Sequence, residues 1–213
     1  TLHPLLVSLQ EVFKRSHKKG KLFSAVILAM ILPIGTAMSS HVHRKLEQIL
    51  YFSINKTRFY RFMASKKFNW DNIWMNIFKL IPSPTTNNRL IVALDDSMTP
   101  KSGKKIFGCE HFFDHAAKHN QSQYPWSQCF VQIGLLKLVH TRWAFLPLLT
   151  RFYCSVNKAV DSSFKSKISI ACELLYRLSR WSKSPILVVT DSWFGNGKLY
   201  NKLRDDIGNS IEV

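Results

Sequence analysis

Two aspartates, Asp95 and Asp191, stand at the ends of two short, wholly apolar runs, Leu90 to Leu94 (LIVAL) and Ile186 to Val189 (ILVV). Such runs read as buried central strands, and the carboxyl ends of neighbouring central strands are where sites assemble in open sheets. Carboxylates brought together there repel one another unless a hard cation lies between them, so the pattern predicts a Mg²⁺ or Mn²⁺ site. Two such ions about 3.5–4 Å apart can activate a water or a 3′-hydroxyl and stabilise the leaving oxygen in phosphodiester cleavage. The competing role for Asp95, its neighbour Asp96 and Asp191 is a strand-end turn or helix cap.

Charge points to the substrate. Lysine and arginine total 30 against 13 acidic residues, a net +17 that implies a polyanionic partner. The segment TRFYRFMASKK sets Arg58, Arg61, Lys66 and Lys67 beside Phe59, Tyr60 and Phe62, a helix that could rest on a phosphate backbone or, equally, a core helix with a solvated basic edge. Lys101, Lys104 and Lys105 crowd a turn (KSGKK) and are candidates for phosphate contact, and Trp193, just past Asp191, is a candidate for stacking on a base. Trp126 reads as core. His111, His115 and His119 recur every four residues, but their loop lacks a helical apolar face and no second ligand pair follows, so zinc is not expected. His115 beside Asp114 reads as a loop-fixing pair. The four cysteines form no CxxC pair and read as reduced, mostly buried thiols of a cytosolic protein.

The elements that must position these residues fall into two patterns. Apolar residues at three- and four-residue spacing predict helices at about 2–15, 21–32, 41–52, 56–65 and 70–80, with Trp70 and Trp74 anchoring the last of them. The breaker segment IPSPTTNNR, Ile81 to Arg89, then separates a helical region, about 1–85, from an α/β region, about 86–213. There LIVAL is expected to stop at the aspartates, with further strands at Trp126 to Leu138 and Trp143 to Leu149. A helix over about 157–181, the ILVV strand, a helix from about Asn196 to Arg204 and the start of a strand at Ile211 follow. Leu22 to Met38 is apolar, but at about seventeen residues and broken by Pro33 and Gly35 it reads as a buried helix ending near Leu32, so no membrane partner is expected.

LIVALDDSMTPKSGKKIFG resembles the first catalytic block of insertion-sequence DDE transposases, and ILVVTDSWFGNGKLYNKLRD is similar to their second-aspartate block. FFDHAAKHNQSQYPWSQCFVQIGLL looks like their second and third strands, and TRFYRFMASKKFNWDNIW like their amino-terminal region. The resemblance implies an RNase H-like mixed sheet with flanking helices after a helical DNA-binding region. It implies metal-dependent cleavage and transfer of double-stranded DNA at transposon ends and into a target, and a homodimer on DNA in the bacterial cytoplasm at the nucleoid. By position it makes Asp95 and Asp191 the catalytic, metal-binding carboxylates, with Asp96 as a one-residue alternative to Asp95. The family's third carboxylate is a glutamate on a later helix. Glu212 lies only at the start of the preceding strand, so the third ligand is expected beyond Val213.

Overall fold

A computed structural model describes residues 2–13, 16–36, 38–65, 67–156, 164–207 and 211–212. Contacts divide the chain into two compact units, Thr1–Pro82 and Ser83–Val213.

The first unit is helical: α1 (Leu2–Glu11), α2 (His17–Ile31), α3 (Ser39–Gln48), α4 (Lys56–Met63) and α5 (Trp70–Lys79). Asparagine side chains start two of these helices. Asn55 accepts a bond from the Thr57 N–H at 2.8 Å, and Asn69 one from the Asn72 N–H at 3.1 Å, so each start has one orphan donor satisfied. Leu22, Val26 and Ala29 of α2 pack with Val42, Leu46 and Phe59 in one core, which is where the apolar stretch before Pro33 goes. Among the described residues no helix is long and apolar enough to cross a membrane. In α5 it is Ile73 and Phe78 that are buried, whereas Trp70 is 53% exposed against Phe68. The expectation that Trp70 anchors this helix fails because the inward stripe of α5 passes through Ile73 and Phe78 instead.

The second unit is a mixed sheet with two helices. Its elements are β1 (Leu90–Pro100), β2 (Cys109–His111), β3 (Trp126–Val139), β4 (Arg142–Tyr153), α6 (Lys167–Ser179), β5 (Ile186–Thr190), α7 (Gly197–Ile207) and β6 (Ile211–Glu212). The order is β2–β3–β1–β5–β6, with β4 also paired to β3. β1 and β3 are antiparallel, while β1, β5 and β6 run parallel. A central strand flanked by an antiparallel meander on one side and parallel strands on the other is the RNase H-like arrangement. Helix α6 packs on β3 and β4 through Ile170, Ala171, Leu174, Leu175 and Leu178. Burying each of those leucines contributes about 1.5–3 kcal/mol. Leu90, Val92 and Leu94 of β1 belong to the buried face; Ile91 and Ala93 on the other face are only half-buried, and Val189 beside them is 47% exposed.

Three expectations are corrected here. β1 does not stop at the aspartates, because β3 remains registered against it from Leu135 to Ser127 and holds it extended to Pro100. The helix predicted over 157–181 begins at Lys167, where Ser166 accepts a bond from the Ser169 N–H at 3.1 Å; residues 164–166 are not helical and 157–163 lie outside the described residues. The short strand β2, between the turn that ends at Gly108 and the loop expected from His111, was not expected, since it is too brief to show a period of two.

Gly134 sits at the irregularity where β3 and β4 shift register, and a Cβ there would come within 2.3 Å of the Phe145 ring and 2.8 Å of the Leu146 carbonyl oxygen. Gly134→Ala is expected to destabilise the chain by about 1–3 kcal/mol in urea unfolding, with Phe145→Leu in the same background recovering part of the loss. A midpoint unchanged by Gly134→Ala would contradict this packing.

Candidate functional site

The parallel ladder between β1 and β5 runs from the pair Leu90 and Ile186 to the pair Leu94 and Thr190. The next residue on each side is an aspartate. Asp95 lies on the half-open face with Ile91 and Ala93, and Asp191 leaves the end of the adjacent strand one position beyond Thr190. Both are exposed. Burial raises the Asp95 carboxyl above its ordinary value, and the negative charges of Asp96 and Asp191 add to the rise, while the Asp96 N–H bond and the Lys167 charge oppose it. The two carboxylates therefore feel one another.

Local structure holds each in place. Asp95 Oδ1 accepts from the Asp96 N–H at 2.7 Å. Asp191 Oδ1 accepts from the Phe194 N–H at 3.1 Å, and the Gly195 N–H reaches the Asp191 carbonyl at 2.8 Å, so Asp191 also performs the turn-capping role. Fully buried Phe194 pins this turn, and Trp193, 48% exposed, packs edge-on against it.

Asp96 goes elsewhere. Side chains alternate along a strand, so Asp96 turns to the α6 side of the sheet. There its Oδ2 accepts from Lys167 Nζ at 2.7 Å and from Cys129 Sγ at 3.5 Å. Burial pushes the Cys129 thiol up to about 12, which keeps it protonated as the donor. Lys167 Nζ also lies 5.4 Å from the centroids of both the Tyr153 and Trp193 rings. Burial works to lower the Lys167 pKa, but the Asp96 hydrogen bond and the surrounding negative groups carry it above the ordinary value. Asp95 and Asp96 thus occupy different environments, one open and cation-poor, the other ion-paired.

Sequence reasoning missed Lys167. The available signal was a cation at the first position of a helix, where the macrodipole opposes it and some other partner is required; with the helix start misplaced, the signal was lost.

Lys104 and Lys105 are exposed in the loop after β1, and Lys101 is half-buried with its N–H on the Trp126 carbonyl at 2.9 Å. Trp126 Nε1 donates to the Gly103 carbonyl at 3.0 Å, fixing that loop. Arg58, Arg61 and Lys67 are exposed in the first unit, and Lys66 lies outside the described residues. Asp114 caps its turn through the Ala116 N–H at 2.9 Å, while His115 stacks edge-on against Phe113 rather than pairing with it. Among the described residues no three His, Cys, Asp or Glu side chains form a metal-holding group. Two open carboxylates nevertheless fit a hard ion such as Mg²⁺, which is commonly held by one or two carboxylates with water and substrate phosphate completing its shell.

The sheet order is that of an RNase H-like domain. The model of the DDE superfamily endonuclease family matches residues 9–206, and the chain belongs to that family. No curated protein and no solved structure matches.

Two outcomes follow. Lys167→Ala strands a half-buried Asp96 and is expected to cost about 1–3 kcal/mol in urea unfolding, less when Asp96→Asn is already present; equal costs in both backgrounds would deny the pairing. The raised folded-state pKa of Asp95 means that its contribution to stability is complete below its ordinary value of 3.8 and is lost as pH rises through the folded value. Melts in EDTA at pH 7 should therefore show Asp95→Asn at least as stable as the wild type, and a lower melting temperature for the variant would contradict the raised Asp95 pKa.

Proposed function

We propose that this DDE-family chain is a DNA transposase that cleaves strands at insertion-sequence ends and transfers them to target DNA. The observation that carries the reading is the placement of Asp95 and Asp191 one residue past the same register pair of two parallel strands. These two residues would hold Mg²⁺ or Mn²⁺, and the bound ion would polarise the scissile phosphate and lower the pKa of the attacking water or hydroxyl. Asp191 is held by its turn and Asp95 by the strand, so the carboxylates are oriented before DNA arrives. In cleavage, a water oxygen forms a new bond to phosphorus as the bond to the 3′-oxygen breaks. In transfer, the freed 3′-hydroxyl forms a bond to a target phosphorus and another 3′-oxygen leaves.

The helical unit would serve as the DNA-binding region and residues 83–213 as the catalytic one. Arg58, Arg61, Lys66, Lys67, Lys101, Lys104 and Lys105 would contact phosphates, Trp193 a base, and two copies would act on paired ends. Asp96, committed to Lys167, would support the sheet rim beside the site rather than bind metal.

A second reading rests on a specific observation. Among the described residues no third His, Cys, Asp or Glu joins Asp95 and Asp191 in a metal-holding group, as in a chain that binds DNA without cutting it alone.

A cleavage assay on end-labelled transposon DNA with Mg²⁺ separates the two. Asp95→Asn and Asp191→Asn should each lower cleavage by about 10²-fold or more, consistent with several kcal/mol of lost charge stabilisation, while DNA affinity changes little. Wild-type chain that binds but never cuts would favour the second reading, and variants that cut at the wild-type rate would end the first.

A further inference from the structure

The helical unit contains a cleft of about 1400 Å³. Its rim carries Lys18, Lys19, Arg58, Arg61, Lys67 and Lys79, contributed by α2, α4, α5 and the segment between α4 and α5, and among the described residues no carboxylate lines it. All six cations are exposed, while the floor, with Leu22, Phe62 and Phe68, is buried or half-buried.

Three helix starts open on this space. The N-cap residues Asn55 and Asn69 line it, as does Ser16, which caps α2 without a side-chain hydrogen bond. The positive ends of three helices and six cations therefore act on one volume. Such an enclosure concentrates positive potential, and its size exceeds the roughly 300–1,000 Å³ that holds a compact small molecule. A ligand that is anionic along an extended length matches both the volume and the spread of the six cations.

We infer that this cleft seats a stretch of nucleic-acid backbone, several consecutive phosphodiesters lying between the α2 and α5 walls with the sugars over the apolar floor. The inference rests on the proposed DNA-acting role and adds to it Lys18, Lys19 and Lys79, which no motif marks. The rim cations come from four places in the chain, so the seat exists only in the folded unit. The apolar floor takes the less polar sugar edge, while lysine and arginine on opposite walls neutralise successive phosphates.

The test is fluorescence anisotropy of the full chain with labelled 20-mers, single-stranded and duplex in parallel arms, across a salt series. The cleft variant is Lys18→Gln/Arg58→Gln/Lys79→Gln. A control with the same charge change, Lys21→Gln/Arg44→Gln/Lys56→Gln, uses exposed cations that do not line the cleft. The cleft variant should bind at least about tenfold more weakly in one or both arms, with its salt slope reduced by about three, whereas the control should lose far less. Arg58→Lys should keep most of the affinity. Equal losses in the two triple variants would show diffuse attraction and overturn the assignment, as would displacement of the oligonucleotide by stoichiometric pyrophosphate, which marks a small-anion pocket. Binding is read without metal, so a chain that fails to cut DNA leaves this result intact, and a loss of cleavage in the aspartate variants does not supply it.

Discussion

The electrostatics of the site follow from where a parallel ladder ends. β5 stops at Thr190, opposite Leu94, so the residue after each of these strand positions is released from pairing across that edge at the same height. Both residues are aspartate. Two carboxylates at this height oppose the compact state unless a counter-charge is provided; burial is the main cause of the raised Asp95 pKa, and the charges of Asp96 and Asp191 add to it. The hydrophobic strands and α6 supply the stability that tolerates it, as functional sites generally require from the surrounding fold.

The neighbouring acid shows the other solution to the same problem. Asp96, one residue along and hence on the other face, is neutralised within the protein by Lys167, which is itself cradled by Tyr153 and Trp193. Among the described residues, a protein cation bonded to Asp96 and none to Asp95 separates two adjacent acids that the sequence leaves equivalent. The pairing also ties the start of α6 to the centre of the sheet, so the helix covering one face is fixed to the strand that carries Asp95 on the other.

The apolar runs before Asp95 and Asp191 were legible because a buried strand has little freedom in composition, and the helices of the first unit because their spacing repeats over several turns. The extent of β1 was hidden, since residues 95–100 (DDSMTP) are largely polar and stay extended through their pairing with β3, from Asp95 with Gln132 to Pro100 with Ser127, a contact distant in sequence. Lys167 was hidden for a similar reason: its partner Asp96 is 71 residues distant, and its place at the first position of α6 shows only once the helix start is known. Trp70 misled because size suggests burial while the helical stripe, set by Ile73 and Phe78, decides it. The cleft in the helical unit was only half visible, as Arg58 and Arg61 lie in one motif but Lys18 and Lys79 reach it from other helices.

The shared-cation claim is tested most directly by Mn²⁺ binding to the metal-free chain, followed by electron paramagnetic resonance for the wild type, Asp95→Asn, Asp191→Asn and the double variant. If one ion bridges both carboxylates, each single substitution removes the tight site as completely as the double does. Partial losses from the two singles that sum to the double would show two independent weak sites and contradict the account.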